Sequence, residues 1–146
     1  MLKKIKDAKL QSKIQVFGLD EELKNLYALS DIVLSTSTEP EGFSRIIIEA
    51  QSMEKLVVAA NIGSTEEIIQ DQINGLLCKA NNAQDLSEKI KYALSILNSP
   101  TAETIASNAR ESVTAKFSLP KIQSQLIEFY EELIDQNTKQ KIDAGD

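Results

Sequence analysis

The chain has 146 residues, is 42% hydrophobic and 26% charged, and carries a formal net charge of −6, which suits one folded domain with a real core and argues against disorder. That acidic balance excludes a general nucleic-acid binder, which needs a basic stripe, and the absence of any run of about 18 apolar residues excludes a membrane-spanning helix. No histidine and one cysteine, Cys78, exclude a Ser-His or Cys-His nucleophile pair, a His-ligated metal and an internal disulfide, and suit a reducing cytoplasm.

Residues 1–12 hold Lys3, Lys4, Lys6 and Lys9 against Asp7 alone, and read as a basic, solvated amphipathic helix or leader. A weak contact with a membrane surface, through Leu2 and Ile5, is the alternative. There is no apolar stretch or cleavage site of a secretory signal. Lys13-Ile-Gln-Val-Phe17 alternates and stops at Gly18, the pattern of a short strand and turn. Asp20 is placed to cap a helix with Glu21 and Glu22 in its first turn, and Leu23, Leu26 and Tyr27 follow at helical spacing.

The Ile-Val-Leu run within Asp31–Ser35 reads as a second strand, buried on both faces. A loop and a helix over roughly residues 43–53 follow, then a third strand at Lys55–Ala60. Gly63-Ser-Thr opens a short helix through Ile69, and Asn74-Gly75 turns the chain into a fourth strand at Leu76–Cys78. Beyond it the chain is helical. Leu86, Ile90, Ala93 or Leu94, and Leu97 make one stripe, ended by Pro100. A more polar helix runs from about Thr101 to Lys116. Ser118 and Pro120 start a last helix whose expected buried face is Ile122, Leu126, Phe129 or Tyr130, and Leu133. Residues 138–146 lack periodicity and are expected to form a frayed tail.

Strands separated by helices, with no hairpin signals, predict an α/β domain over residues 13–137: a Rossmann-like parallel sheet of about four strands, helices on both faces, and a helical C-terminal end. In such sheets ligands bind beyond the carboxyl ends of the strands. The loops after Phe17, Ser35 and Ala60 are therefore the places to search.

The second of these holds "EPEGFSRIIIEA", residues 39–50. If its helix starts near Phe43 or Ser44, the free N–H groups of Gly42, Phe43 and Ser44 face out with the positive end of the helix dipole, a site for phosphate. Gly42 lets a ligand approach the backbone, Glu41 can accept from sugar hydroxyls, and Glu49 can take a ribose diol. The competing reading is structural. Arg45 and Glu49 are i,i+4 neighbours able to form a surface ion pair, and Glu41 is then a plain helix-start acid. Spacing alone leaves both open.

The same residues carry a resemblance. A Glu, seven residues and a second Glu, in "EPEGFSRIIIEA", is similar to the signature of nucleotide-sugar glycosyltransferases of the group 1 (family 4) type, retaining enzymes of the GT-B fold. "VFG" at 16–18, "YALSDIVLSTS" at 27–37, "EAQSMEKLVVAANIGSTEEII" at 49–69 and "NGLL" at 74–77 follow in the family's order. "DLSEKIKYAL" and "KFSLPKIQSQLIEFYEEL" match its closing helices more loosely.

The resemblance implies the C-terminal, donor-binding part of such an enzyme. It moves a hexose-type sugar from a nucleoside-diphosphate sugar to an acceptor, expected in a cell-envelope glycan or lipid. Glu41 then lies against the transferred sugar as the catalytic residue. Gly42, Phe43 and Ser44 serve the sugar and diphosphate, Glu49 the ribose, Gly18 and Leu19 the base, and Ser64 and Glu67 the loop resembling a Gly-Gly-x-x-Glu turn. No metal and no cofactor beyond the donor are implied, and the expected location is cytoplasmic, or peripheral to the inner face of the membrane.

Three departures from the pattern stand out: Ser64 for the second glycine, Glu54 for a glycine, and Leu56 for a proline. The family's Gly-Arg and Lys-Gly segment, which neutralises the diphosphate, and its acceptor domain are not in the sequence. Little turnover is therefore expected from these residues alone. The alternative is a non-catalytic remnant, or one half of a split enzyme pairing with a separate acceptor-domain chain; an unrelated doubly wound module is the third reading. A bare sheet edge beside Lys13–Phe17 predicts self-association.

Overall fold

The computed structural model describes residues 2–18 and 23–143. Its elements are α1 (Leu2–Asp7), α2 (Leu23–Leu29), β1 (Ile32–Ser35), α3 (Arg45–Ser52), β2 (Leu56–Asn61), α4 (Thr65–Ile68), β3 (Leu76–Lys79), α5 (Ala83–Ile96), α6 (Pro100–Phe117) and α7 (Leu119–Asp143). The three strands form a parallel sheet in the order β1-β2-β3. Val58 of β2 lies in register between Leu34 of β1 and Leu76 of β3.

The sequence of β2 explains its place. A central parallel strand is buried on both faces, so its side chains must be apolar without alternation. Leu-Val-Val-Ala-Ala supplies this, and residues 56–60 are all buried. Val57 and Ala59 join Tyr27, Val33, Ile47, Ala50, Ile68 and Ile69 in one core. Leu56 and Val58 join Leu76, Ala93, Ala102 and Ile105 in the other. Helices α2, α3 and α4 thus cover one face, and α5 and α6 the other.

Two of the C-terminal helices are delimited by local chemistry. Asn82 caps α5 by accepting from the Asp85 N–H at 3.0 Å, and Ser99 caps α6 by accepting from Ala102 at 3.4 Å, with Pro100 in its first turn. Helix α6 starts in the second core and ends with Phe117 packed on the first, closing the molecule around α3.

The structure corrects three expectations. Lys13–Phe17 is not a strand; the sheet has three strands, and Ile14, Val16 and Phe17 are exposed. Among the described residues the sheet ends at β1 on one side and at β3 on the other, so its edges lie there and not along 13–17. Second, the face of α7 expected to be buried is exposed: Ile122, Leu126, Phe129, Tyr130 and Leu133 all face solvent, because only α6 packs closely on this helix among the described residues. Third, α7 continues to Asp143, past the start of the expected tail. Asp20, Glu21 and Glu22 lie outside the described residues.

Candidate functional site

The loop of residues 36–44 leaves the carboxyl end of β1 and delivers the chain to α3. Its shape is set from beside it. Gly63, in the loop after β2, has φ +61°, and a β-carbon there would lie 2.7 Å from the carbonyl oxygen of Glu41 and 3.1 Å from its nitrogen. Only glycine permits this approach. Within the loop, the Ser37 hydroxyl donates to Glu41 Oε1, and Asn81 Nδ2 donates to the Thr38 carbonyl at 3.3 Å.

Helix α3 begins at Arg45, with Ser44 as its N-cap at φ −83° and ψ 96°. Serine in this place ordinarily accepts from an N–H of the first turn. Here it does not. Ser44 is buried, and its hydroxyl has no hydrogen-bond partner among the described residues. The first turn also has N–H groups with no partner within the helix. Because the helix starts at Arg45, these belong to Arg45 and Ile46 onward, shifted along the chain from Gly42 and Phe43. Ser44 lines a small cleft with Ser35, Ser37, Glu41, Ala60, Ile62 and Thr65. The Thr65 hydroxyl there is committed to the Ile62 carbonyl at 2.7 Å.

Glu49 stands in a second cavity, of about 550 Å³, with Leu23, Lys24, Tyr27, Arg45, Ser52 and Met53. Both its oxygens are engaged. Oε1 accepts from Arg45 at 3.0 Å and Oε2 from the Tyr27 hydroxyl at 3.0 Å. The Arg45 ion pair foreseen as the structural reading is therefore formed, but its guanidinium side chain is 83% exposed, so solvent competes for it and the pair is weak. Burial first, and then the hydrogen bond to Glu49, push the Tyr27 phenol up from 10.0 to about 12. It is a donor at all ordinary pH.

The structure thus brings Glu41 and Ser44 to one cleft at the start of α3, and sets Glu49 in a separate cavity further along the same helix. Gly42 is exposed, with open space where a β-carbon would be. Phe43 is half exposed, its ring edge-on to Phe117 at 5.3 Å and 72°. Gly18 is exposed at the end of the extended segment and lines neither cavity; Leu19 lies outside the described residues. Ser64 has φ −80°, so replacing glycine there costs no backbone strain. It precedes α4, and Glu67 is exposed in the first turn of that short helix; neither lines the two cavities.

Sequence reasoning missed Gly63 as the support of Glu41, and read Tyr27 only as a core residue. The signal for Tyr27 was its hydroxyl, a polar group that needs a partner when buried. Cys78 is buried, and burial and Asp85 push its thiol above the ordinary value; it is a core residue. No helix among the described residues is long and apolar enough to cross a membrane.

The family model for glycosyl transferases group 1 matches residues 1–112. An uncharacterized glycosyltransferase of Methanocaldococcus jannaschii is 33% identical over 91% of this chain, which spans 41% of that protein's length. A glycosyltransferase structure from Rickettsia africae superposes with a TM-score of 0.87 at 45% identity, over 90% of this chain and 35% of the other. The Anabaena protein HepE, solved in complex with UDP, superposes at 0.84 with 30% identity over the same shares. The chain accordingly belongs to the group 1 glycosyl transferases, and spans about two-fifths or less of the length of these relatives.

Proposed function

We propose that these residues are the donor-binding, C-terminal part of a retaining glycosyltransferase that takes a hexose-type sugar from a nucleoside-diphosphate sugar. The observation that carries this reading is the Ser44 hydroxyl, buried and without a partner among the described residues, at the start of α3 and in one small cleft with Glu41. A buried hydroxyl without a partner costs about 1–3 kcal/mol, a cost that a ligand accepting or donating there removes. A helix start favours an anion. The UDP in the HepE complex supports uridine diphosphate as the first nucleotide to try.

In this reading the diphosphate sits on Ser44 and the first-turn N–H groups, with Gly42 and Phe43 contributing backbone N–H groups towards the sugar. Glu41 lies against the transferred sugar and Glu49 takes the ribose. Gly18 and Leu19 face the base, and Ser64 and Glu67 meet the donor from the loop that resembles a Gly-Gly-x-x-Glu turn. Charge that develops on the departing diphosphate meets preorganised donors, which is where such sites gain most of their rate. The reading assigns no role to a metal or a further cofactor. The acceptor is proposed to be a cell-envelope glycan or lipid, with the protein at the inner face of the membrane, where the lysines of α1 would meet anionic headgroups.

A second reading rests on α7. Its exposed Leu126, Ile127, Phe129, Tyr130 and Ile134 form a surface of the kind that marks an interface, and β1 has an open edge. These features favour work as one half of a larger assembly, completed by a separate acceptor-domain chain or by a second copy.

A binding titration with UDP, GDP, ADP and UMP tests the site. One diphosphate should bind, and UMP should bind at least about tenfold more weakly than UDP if UDP is that ligand. Binding of none, or equal binding of UMP and UDP, would remove the diphosphate role of α3.

A further inference from the structure

Glu49 does not stand alone in its cavity. Its Oε2 accepts from the Tyr27 hydroxyl at 3.0 Å, and its Oε1 from Arg45 at 3.0 Å. The two partners differ in kind. Tyr27 is 7% exposed and its ring is fixed in the core with Val33, Ile47 and Ala50, so its hydroxyl is held in place by packing. Arg45 is a long, exposed side chain with several rotatable bonds, and it leaves at little cost.

We propose that Tyr27 is a positioning residue for the nucleotide: its hydroxyl pins one oxygen of Glu49 and so presents the other, now covered by the displaceable Arg45, to the vicinal hydroxyls of a ribose. A carboxylate on a flexible side chain loses rotamer freedom when it takes a diol; one already pinned loses less and binds more tightly. The phenol suits this duty because it stays protonated to about pH 12, and therefore donates to the carboxylate throughout the working range. Tyr27 also ties α2 to α3, because the residue belongs to α2 and Glu49 to α3. The orientation of the ribose-binding acid is thereby set by an element outside the Glu-x7-Glu segment.

This inference rests on the proposed ribose role of Glu49, and the test separates the two. UDP and 2′,3′-dideoxy-UDP are titrated into the wild-type protein, Tyr27→Phe and Glu49→Ala. Wild type should prefer UDP by at least about tenfold, and Glu49→Ala should bind the two alike. Tyr27→Phe keeps the ring and its packing, yet should cut the preference at least about threefold, with its loss falling on UDP and not on the dideoxy nucleotide. A mere packing role for Tyr27 would weaken both nucleotides together. An unchanged preference in Tyr27→Phe, with Glu49→Ala abolishing it, overturns the positioning role alone. No preference in wild type, or one that survives Glu49→Ala, overturns the ribose role and this inference with it.

Discussion

Gly63 lies so close to Glu41 that any side chain at position 63 would begin 2.7 Å from the Glu41 carbonyl oxygen. The loop after β2 is thus the floor on which the proposed sugar-facing acid rests. Gly63→Ala should cost about 1–2 kcal/mol for the left-handed conformation alone, and more for the displaced Glu41 backbone. Urea unfolding measures the loss. A change below about 0.5 kcal/mol would show that the two loops separate freely.

Glu54 is the opposite case. It sits at φ +55°, a conformation that favours glycine, and it ends α3 where the family pattern has one. Its ion pair with Arg110, at 3.8 Å between exposed side chains, adds little. Glu54→Gly should relieve about 1–2 kcal/mol of backbone strain and lose about 0.4–1 kcal/mol to the freer unfolded chain. A net gain of several tenths of a kcal/mol, seen as a higher midpoint in denaturant, is the expected outcome.

Asp71 supplies a pH dependence. Burial works to raise its carboxyl, but the Leu77 N–H and Lys89 outweigh it and hold it below the ordinary 3.8. Leu77 donates to it at 2.7 Å and Lys89 at 3.0 Å. A group depressed in the folded state stabilises above its unfolded value and ceases to as pH falls through its folded value. Stability should therefore decline from about pH 4 downward, and Asp71→Asn should flatten that part of the profile. It should also cost about 1 kcal/mol at neutral pH, from the weakened hydrogen bond to Leu77. A parallel decline in wild type and variant would assign the acid sensitivity elsewhere.

The exposed face of α7 predicts association. Light scattering after size exclusion should show an apparent mass that rises with loading concentration, and Leu126→Glu with Phe129→Lys should lower it. A monomer at every concentration would mean that the exposed face and the edge of β1 do not pair with a second copy.

The fold was legible where burial is uniform. The unbroken apolar run of β2 reads as a central parallel strand, and the stripe of α5 gave its packed face; β1 was also read as buried on both faces, but as an edge strand it buries only Val33 and leaves Leu34 exposed. Reading failed where an element's structure depends on contacts that its own residues do not encode. Lys13–Phe17 has the alternation of a strand, but a strand exists only when paired; α7 has the stripe of a buried helix, but among the described residues only α6 packs closely on it, and the stripe stays exposed. The site divided in the same way. The local features at Glu41, Ser44 and Glu49 were visible, because an anion site at a helix start is a property of a few consecutive residues. The supports were not: Gly63 lies 22 residues from Glu41 and Tyr27 lies 22 from Glu49, and such contacts are made by the sheet that brings the segments together.

The central claim is that α3 opens on a diphosphate, and Ser44→Ala tests it most directly. A serine that merely caps a helix would lose about 1 kcal/mol of stability on this change. Ser44 makes no cap hydrogen bond and its buried hydroxyl has no partner among the described residues, so the free protein should gain about 1 kcal/mol or more, while UDP affinity falls about tenfold with the loss of a hydrogen bond to a charged oxygen. Unchanged UDP affinity, together with a stability loss near 1 kcal/mol, would make Ser44 an ordinary cap and contradict the account.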